Sequence, residues 1–487
     1  MCGIFGLIGR EAVAERLVKG AGRLQNRGDR STRAVTYDGS YFYHHGDLTP
    51  PLIAFRNYDM ARLKGNCGIV HTRYPTSGRS TPEMLERNIQ PVITDRPTMA
   101  TCNNGDLINM VAQTRRLQEK GFSFQTEVDA KVIQATLIDA MQANHVHRGD
   151  NHAYAAGLFK SLHQVHGELV GGYSVLNVVE RGLLAFKDPH GIRPLCMAKR
   201  KGPRGRLLEV GFASESSVFN YFGDYKEIRE LEPGEAVFID HELRIWSAKV
   251  TPAREAFCFF EYVYFARPDS RFKGRYVEVV RGDLGEVLAA EHESMKRRID
   301  VVIPLPGTAV SAGHRFAERL GVPAARAIIK ADNKRSFQET TDDKRQKAID
   351  DKFLFIRDFI QGKRVAVVDD SNVRGTTAKK MIARLYDLGA KETHMFYYCP
   401  PVVGPCYYGI DTPDERKLIA FGRTNEQIRR ALGCTSINYI SLDGLLRGLA
   451  IPRDELCLAC VTRQYPTPTD QVRARSDQRK RQRAAGD

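Results

Sequence analysis

No apolar run in this sequence approaches the ~20 residues that cross a bilayer, and its start lacks the basic n-region and long apolar h-region of a secretory signal. The first absence excludes a membrane-spanning helix. The second predicts a cytoplasmic protein, in a compartment where structural disulfides do not persist. The ten cysteines among the 487 residues therefore read as thiols, metal ligands or a nucleophile. RNA-recognition aromatics, zinc-finger spacing and internal repeats are also missing. Anionic small substrates account for the net charge of +15 at least as well as nucleic acid does. Part of that charge sits in the tail, where seven basic residues face three acidic ones from Arg463 onward.

What is present is the composition of a soluble globular chain, 42% hydrophobic and 27% charged, long enough for two large domains. In the first half, IFGLIG, CGIVHTRY, YSVLNVV, GLLAFKD and EAVFID read as strands between Gly, Asp and Pro turns. EVDAKVIQATLIDAMQ and AGLFKSLHQVHGEL carry helical spacing. Together they predict an α+β domain over residues 1–250, with a boundary near 245–258 just before FCFFEYVYFARPDS. Beyond it DVVIPLP leads into SAGHRFAERLG, and KRVAVVDD into TTAKKMIARLYDLGA. Such strand–loop–helix units predict an α/β domain with a mainly parallel sheet over 251–465, its ligands held in loops beyond the strands' carboxyl ends. KADNKRSFQETTDDKRQKAIDD, within it, reads as a polar mobile loop or surface helix. Residues 466–487 form a basic, polar tail predicted to be disordered.

The most specific internal stretch is RVAVVDDSNVRGTT, residues 364–377. An apolar strand delivers Asp369 and Asp370 to its end, and Ser371, Arg374, Gly375, Thr376 and Thr377 follow into a helix start. Backbone N–H groups and hydroxyls there cradle a phosphate, glycine permits close approach, and the paired carboxylates suit ribose hydroxyls or Mg²⁺. The string resembles the phosphoribosylpyrophosphate motif of type I phosphoribosyltransferases. The resemblance implies a pyrophosphate loop in IPLPGTAV, with Gly307 and Thr308 as its residues, and a closing loop that brings Lys330 and Arg335. It also implies Mg²⁺ at Asp369 and Asp370.

At the other end, MCGIFG places a thiol and, once Met1 is removed, a free α-amine on one residue, Cys2. That start resembles class II glutamine amidotransferases, which have the αββα sandwich of N-terminal nucleophile hydrolases. The resemblance implies that Cys2 attacks the glutamine amide with its own amine as base. It implies Asn104 and Gly105 of NNGD as the oxyanion pair, and Arg73 of HTRYPTSG and Asp129 of EVDAKV as holders of the substrate's α-carboxylate and α-ammonium. Arg27 is grouped with these glutamine-binding residues. The chain departs from the family pattern at Asn26, Asp29 and Arg33 in LQNRGDRSTRA, at Asn103 and Asp106 around the Asn-Gly pair, and at Lys131.

Joined in this order, the halves resemble the enzymes that make 5-phosphoribosylamine, pyrophosphate and glutamate from phosphoribosylpyrophosphate, glutamine and water, the first committed step of de novo purine synthesis. One branch of that family carries a 4Fe-4S cluster, and Cys258, Cys406, Cys457 and Cys460 stand where that branch places its ligands; zinc on the same thiols and four unrelated buried thiols are the alternatives. Purine nucleotide inhibitors and a homo-oligomer, tetramer or dimer, are further implications. Two rival readings stay open: a divergent relative with an impaired glutaminase that uses ammonia or another amine, and a non-catalytic regulator that binds phosphoribosylpyrophosphate or nucleotides.

Overall fold

A computed structural model describes residues 2–74, 81–146, 149–252, 254–331, 353–412 and 414–471. Arg335, most of the polar stretch around it, and residues 472–487 of the tail lie outside the described residues, whereas residues 466–471, expected to be disordered with the rest of the tail, are described, and Thr467 is buried against Tyr408. The first half is built on two antiparallel sheets. One has seven strands in the spatial order 225–230, 196–201, 207–213, 3–9, 67–73, 31–37, 42–47; the other has six, in the order 245–249, 235–240, 182–187, 171–179, 98–107, 92–95. Four of these strands frame the chemistry: β1 (Gly3–Gly9), β2 (Cys67–Arg73), β3 (Thr98–Leu107) and β4 (Gly171–Val179).

The sheets pack face to face, with Ile4, Ile8 and Ile69 of the first meeting Cys102, Leu176 and Val237 of the second. On the outer face of the first sheet, helix Ala14–Arg23 buries Leu17 and Ala21 against Phe5 and Leu7. Helices Asp129–Ala143 and Asn151–Glu168 cover the second sheet. These are the expected αββα layers. Because each sheet is covered on both sides, β1 and β4 are buried along their whole length, which is why their sequences read as continuous apolar runs more than as alternation.

The second half carries the expected parallel sheet. Its strands β5 (Val301–Pro304), β6 (Arg364–Asp369), β7 (Glu392–Tyr397) and β8 (Ser436–Tyr439) lie side by side in that order. Helices Val310–Leu320 and Thr376–Asp387 follow β5 and β6 directly, so both phosphate-type loops open at the same edge of the sheet.

The aromatic run at the start of this half does two things. Phe257–Cys258 pairs in parallel with Leu456–Cys457, bringing the chain's late segment back to the junction. Glu261–Phe265 then makes a single π-helical turn. The buried Arg281 satisfies that turn by donating from Nε to the Tyr262 carbonyl (2.8 Å) and from Nη2 to that of Ala266 (2.9 Å). Among the described residues, no helix is long and apolar enough to cross a membrane.

Candidate active sites

Cys2 enters β1, and the register of β1 against β2, with Gly3 opposite Thr72, sets it beside Arg73. Its backbone nitrogen donates to Asn104 Oδ1 at 3.3 Å, across from the other sheet. The Asn104 side chain is fully buried, and its Nδ2 has no partner among the described residues. A buried donor left unpaired costs free energy until an oxygen takes it, which is the state of an oxyanion donor before substrate arrives. Gly105 follows with φ +137°, and a Cβ there would overlap the Gly172 carbonyl oxygen, so no other residue fits.

Cys2 and Gly105 open onto a cavity lined also by Arg73, Tyr74, Gln90, Asn103, Asp106, Val128 and Asp129. Asp129 is the first residue of helix Asp129–Ala143, and its Oδ2 accepts from the Leu107 backbone at 3.1 Å. Arg73, Asp106 and Asp129 are each no more than 3% exposed. Burial holds the Arg73 guanidinium below its ordinary value, while negative charge at Cys2, Asp106 and Asp129 works the other way. A guanidinium remains charged throughout, so the pocket holds one fixed cation facing two carboxylates, a match for a zwitterionic α-amino acid.

Arg27, grouped with the glutamine ligands on sequence, requires a correction. Its guanidinium is fully buried between two carboxylates, with Nε 2.6 Å from Glu215 Oε1 and Nη2 on Glu261 Oε2, and its donors are spent there instead of at the cavity. Glu261 belongs to the π-turn, so Arg27 ties the two halves together. The departures from the family pattern sort in the same way. Asn26 Nδ2 bridges Glu215 (2.8 Å) and the Phe265 carbonyl (3.0 Å). Asp29 is an exposed partner of Arg30. Arg33 points to the carbonyls of Ile89 and Pro91, and Lys131 donates to Gln134. Of the six changed positions, Asn103 and Asp106 line the cavity.

In the second half the two loops predicted to hold phosphate and pyrophosphate are brought together. Pro304 lies opposite Val368 in the parallel pair β5–β6, and the Thr308 hydroxyl donates to Asp370 Oδ2 while Ser371 donates to Oδ1. Burial pushes the Asp370 carboxyl up from its ordinary range, and those two hydrogen bonds oppose the rise. The Asp370 backbone nitrogen donates to Asp369 Oδ1 at 2.8 Å. Gly375, at φ +78°, caps helix Thr376–Asp387, and a Cβ would run into Ile419. Among the described residues Arg374, Thr376 and Thr377 are exposed around that helix start, and nothing stands within 4 Å of a Cβ at Gly307 (φ +117°). Lys330, also exposed, ends strand Ile328–Lys330. Arg335 cannot be placed.

The thiol set gathers at the junction. Cys258 sits opposite Cys457 in register, and Cys406 Sγ accepts from the Tyr408 backbone (3.4 Å) and from Nη2 of the buried Arg193 (3.7 Å). Burial raises the Cys457 and Cys460 thiols, and the charges of Cys258 and Cys406 push both further in the same direction. Among the described residues, no three His, Cys, Asp or Glu side chains converge to hold one metal ion.

Sequence reasoning missed Gln90, whose Oε1 accepts from the Asn103 backbone at 3.0 Å inside the cavity. It also missed Tyr398, whose hydroxyl lies 3.0 Å from the Thr308 carbonyl and 3.1 Å from that of Val263. Both stand alone in sequence, and no spacing marks them.

Comparison with known proteins follows this geometry. Residues 78–220 match a family model described as a glutamine amidotransferase domain. Over 96% of its length the chain is 35% identical to the amidophosphoribosyltransferase of Methanothermobacter thermautotrophicus, covering 94% of that relative, and 33% identical to that of Bacillus subtilis, covering 94%. The solved structure of glutamine phosphoribosylpyrophosphate amidotransferase from B. subtilis, complexed with ADP and GMP, superposes with a TM-score of 0.83 at 32% identity, over 96% of this chain and 98% of that one.

Proposed function

The chain belongs to the amidophosphoribosyltransferase family, and we infer that it makes 5-phosphoribosylamine, pyrophosphate and glutamate from phosphoribosylpyrophosphate, glutamine and water. The observation that carries this reading is the meeting of Cys2, Gly105, Arg73 and Asp129 on one cavity, with Asn104 holding the Cys2 nitrogen behind it, on a chain whose second half holds the Asp370–Thr308 phosphate loops.

Glutamine's α-carboxylate pairs with Arg73 and its α-ammonium with Asp129, which sets the side-chain amide at Cys2. With Met1 removed, the Cys2 amine, of a type that titrates at roughly 7.7–8.0, takes the thiol proton. The sulfur then attacks the amide carbon, and the developing oxyanion takes the Asn104 Nδ2 donor and the Gly105 N–H. Ammonia leaves, and water hydrolyses the thioester to glutamate. The ammonia displaces pyrophosphate at the ribosyl carbon.

We assign the glutaminase to residues 1–250, with Cys2, Asn104 and Gly105 catalytic, and the transfer to residues 251–465. Asp369, Asp370, Ser371, Arg374, Gly375, Thr376 and Thr377 receive the ribose phosphate, Gly307 and Thr308 the pyrophosphate, and Lys330 and Arg335 the closing contacts. Mg²⁺ binds through one or two carboxylates together with substrate phosphates more often than in an all-protein cage, and Asp369 and Asp370 fit that mode. Held there, the ion would supply charge neutralisation for the leaving pyrophosphate.

A 4Fe-4S cluster on Cys258, Cys406, Cys457 and Cys460 is part of the proposal. Its support is the gathering of three buried thiols, Cys258, Cys406 and Cys457, around the Arg193 cation, which offsets thiolate charge. A cytoplasmic location suits a free catalytic thiol and such a cluster. Purine nucleotide inhibition and a homo-oligomer complete the reading.

The test compares glutamine-dependent with ammonia-dependent consumption of phosphoribosylpyrophosphate. Cys2→Ala is expected to abolish the first and leave the second within about twofold; loss of neither would sink the glutaminase. The ammonia-only rival rests on Asn103 and Asp106 alone, since the other four departures face elsewhere.

A further inference from the structure

We propose that the strap 406–410 of the second half forms the backing of the glutaminase oxyanion site, with Gly409 as the residue that positions Gly105. The proposal rests on the glutaminase reading above. Gly105 and Gly409 both hold left-handed backbone, at φ +137° and +110°. A Cβ on Gly409 would stand 2.9 Å from the Gly105 Cα, 3.1 Å from its carbonyl carbon and 3.5 Å from the Asp106 nitrogen. One residue earlier, the Tyr408 Cβ lies 3.0 Å from where a Cβ on Gly172 would be, and Gly172 is the β4 partner of Asp106. Backbone therefore meets backbone where β3 turns its oxyanion donor toward Cys2, with no side chain between to absorb a shift. Packed interiors transmit such displacements instead of damping them.

The strap is itself anchored. Arg193 Nε donates to the Tyr408 carbonyl at 2.6 Å, the Tyr408 hydroxyl lies 2.9 Å from Thr467 Oγ1, and the Cys406 backbone donates to Thr412 Oγ1. Arg193 comes from the first half, is fully buried and pairs with Glu261 at 3.6 Å. The strap is thus clamped from both halves, and the oxyanion site is complete only when the second half is docked. Oxyanion donors act through pre-organisation, and a misplacement of about 1 Å costs on the order of 10²-fold in rate.

The test is Gly409→Ala in the full chain. Expected are a fall of about 10²-fold in glutamine-dependent kcat, a glutamine KM within about threefold, and ammonia-dependent synthesis within about twofold, because a displaced oxyanion donor matters only in the transition state. Tyr408→Phe, which releases only the Thr467 tether, is expected to lower the ratio of glutamine- to ammonia-dependent rates about threefold. Equal loss of both activities in Gly409→Ala, or an unchanged ratio, overturns the proposal. If that variant does not fold, an unchanged ratio in Tyr408→Phe overturns it. Absence of glutamine-dependent turnover in the unsubstituted chain defeats the glutaminase reading itself.

Discussion

The cavity at Cys2 and the loops at Asp370 solve opposite problems. The first is closed: its cation and both carboxylates are almost wholly buried, set by the ends of β2 and β3 and by a helix start. The second is open among the described residues, with Arg374, Thr376 and Thr377 exposed and no described atom beside Gly307. A small zwitterion is recognised by matching each charge inside a rigid wall, where a low dielectric strengthens every contact. A polyphosphate carries its own charge and metal, and needs backbone N–H groups and hydroxyls it can reach from water. The difference shows why one site is assembled from the ends of distant strands and the other from two loops at one edge of a single sheet.

The largest expected effect separates the two sites. Asp370→Asn places an amide where Thr308 and Ser371 both donate to a carboxylate. Glutamine-dependent and ammonia-dependent synthesis should both fall by about 10²-fold, with alkylation of Cys2 by a glutamine-like electrophile unchanged. A selective loss of the glutamine-dependent rate would break the division.

A smaller effect concerns the closed site. On the proposed glutaminase reading, Asp106, whose charge acts on Arg73 and which follows Gly105 on the cavity wall, would compete with the substrate's α-carboxylate and oppose the oxyanion. Asp106→Asn should raise glutamine kcat/KM about three- to tenfold, read by steady-state glutaminase kinetics, and leave the phosphoribosylpyrophosphate KM unmoved.

The smallest effect is on stability. Burial, helped by the nearby Arg73 charge, pushes His71 on β2 down to about 3, and burial takes His166 to about 4. Both are neutral in the folded chain and titrate near 6.5 once unfolded. The unfolded state therefore binds more protons below that value. Their stabilisation is fully present above pH ~6.5 and is lost as pH falls toward the folded values. The melting temperature should be lower at pH 5 than at pH 7.5, and His71→Leu should reduce that difference.

Much of the molecule was legible in order along the chain. RVAVVDDSNVRGTT could be read because strand, acidic pair, glycine and helix start are contiguous, and a local motif keeps its meaning wherever the fold puts it. Cys2 stood out by position, and the structure sets it on the cavity wall beside Arg73. Arg27 was misassigned because sequence spacing does not tell whether an arginine's donors face a cavity or a pair of buried glutamates. Likewise Asn26, Asp29, Arg33 and Lys131 looked like damage to the glutaminase beside Asp106, and only the three-dimensional arrangement separated them.

By itself, then, the sequence determined the two chemistries, the order of the halves and the layer architecture, since these rest on local motifs and on apolar periodicity. Tertiary structure alone decided that Asp106 shares a cavity with Arg73, that Thr308 closes on Asp370, and that Gly409 lies against Gly105 across some three hundred residues of chain. Such contacts depend on strand register and on the docking of one half against the other, and no short stretch of sequence records either.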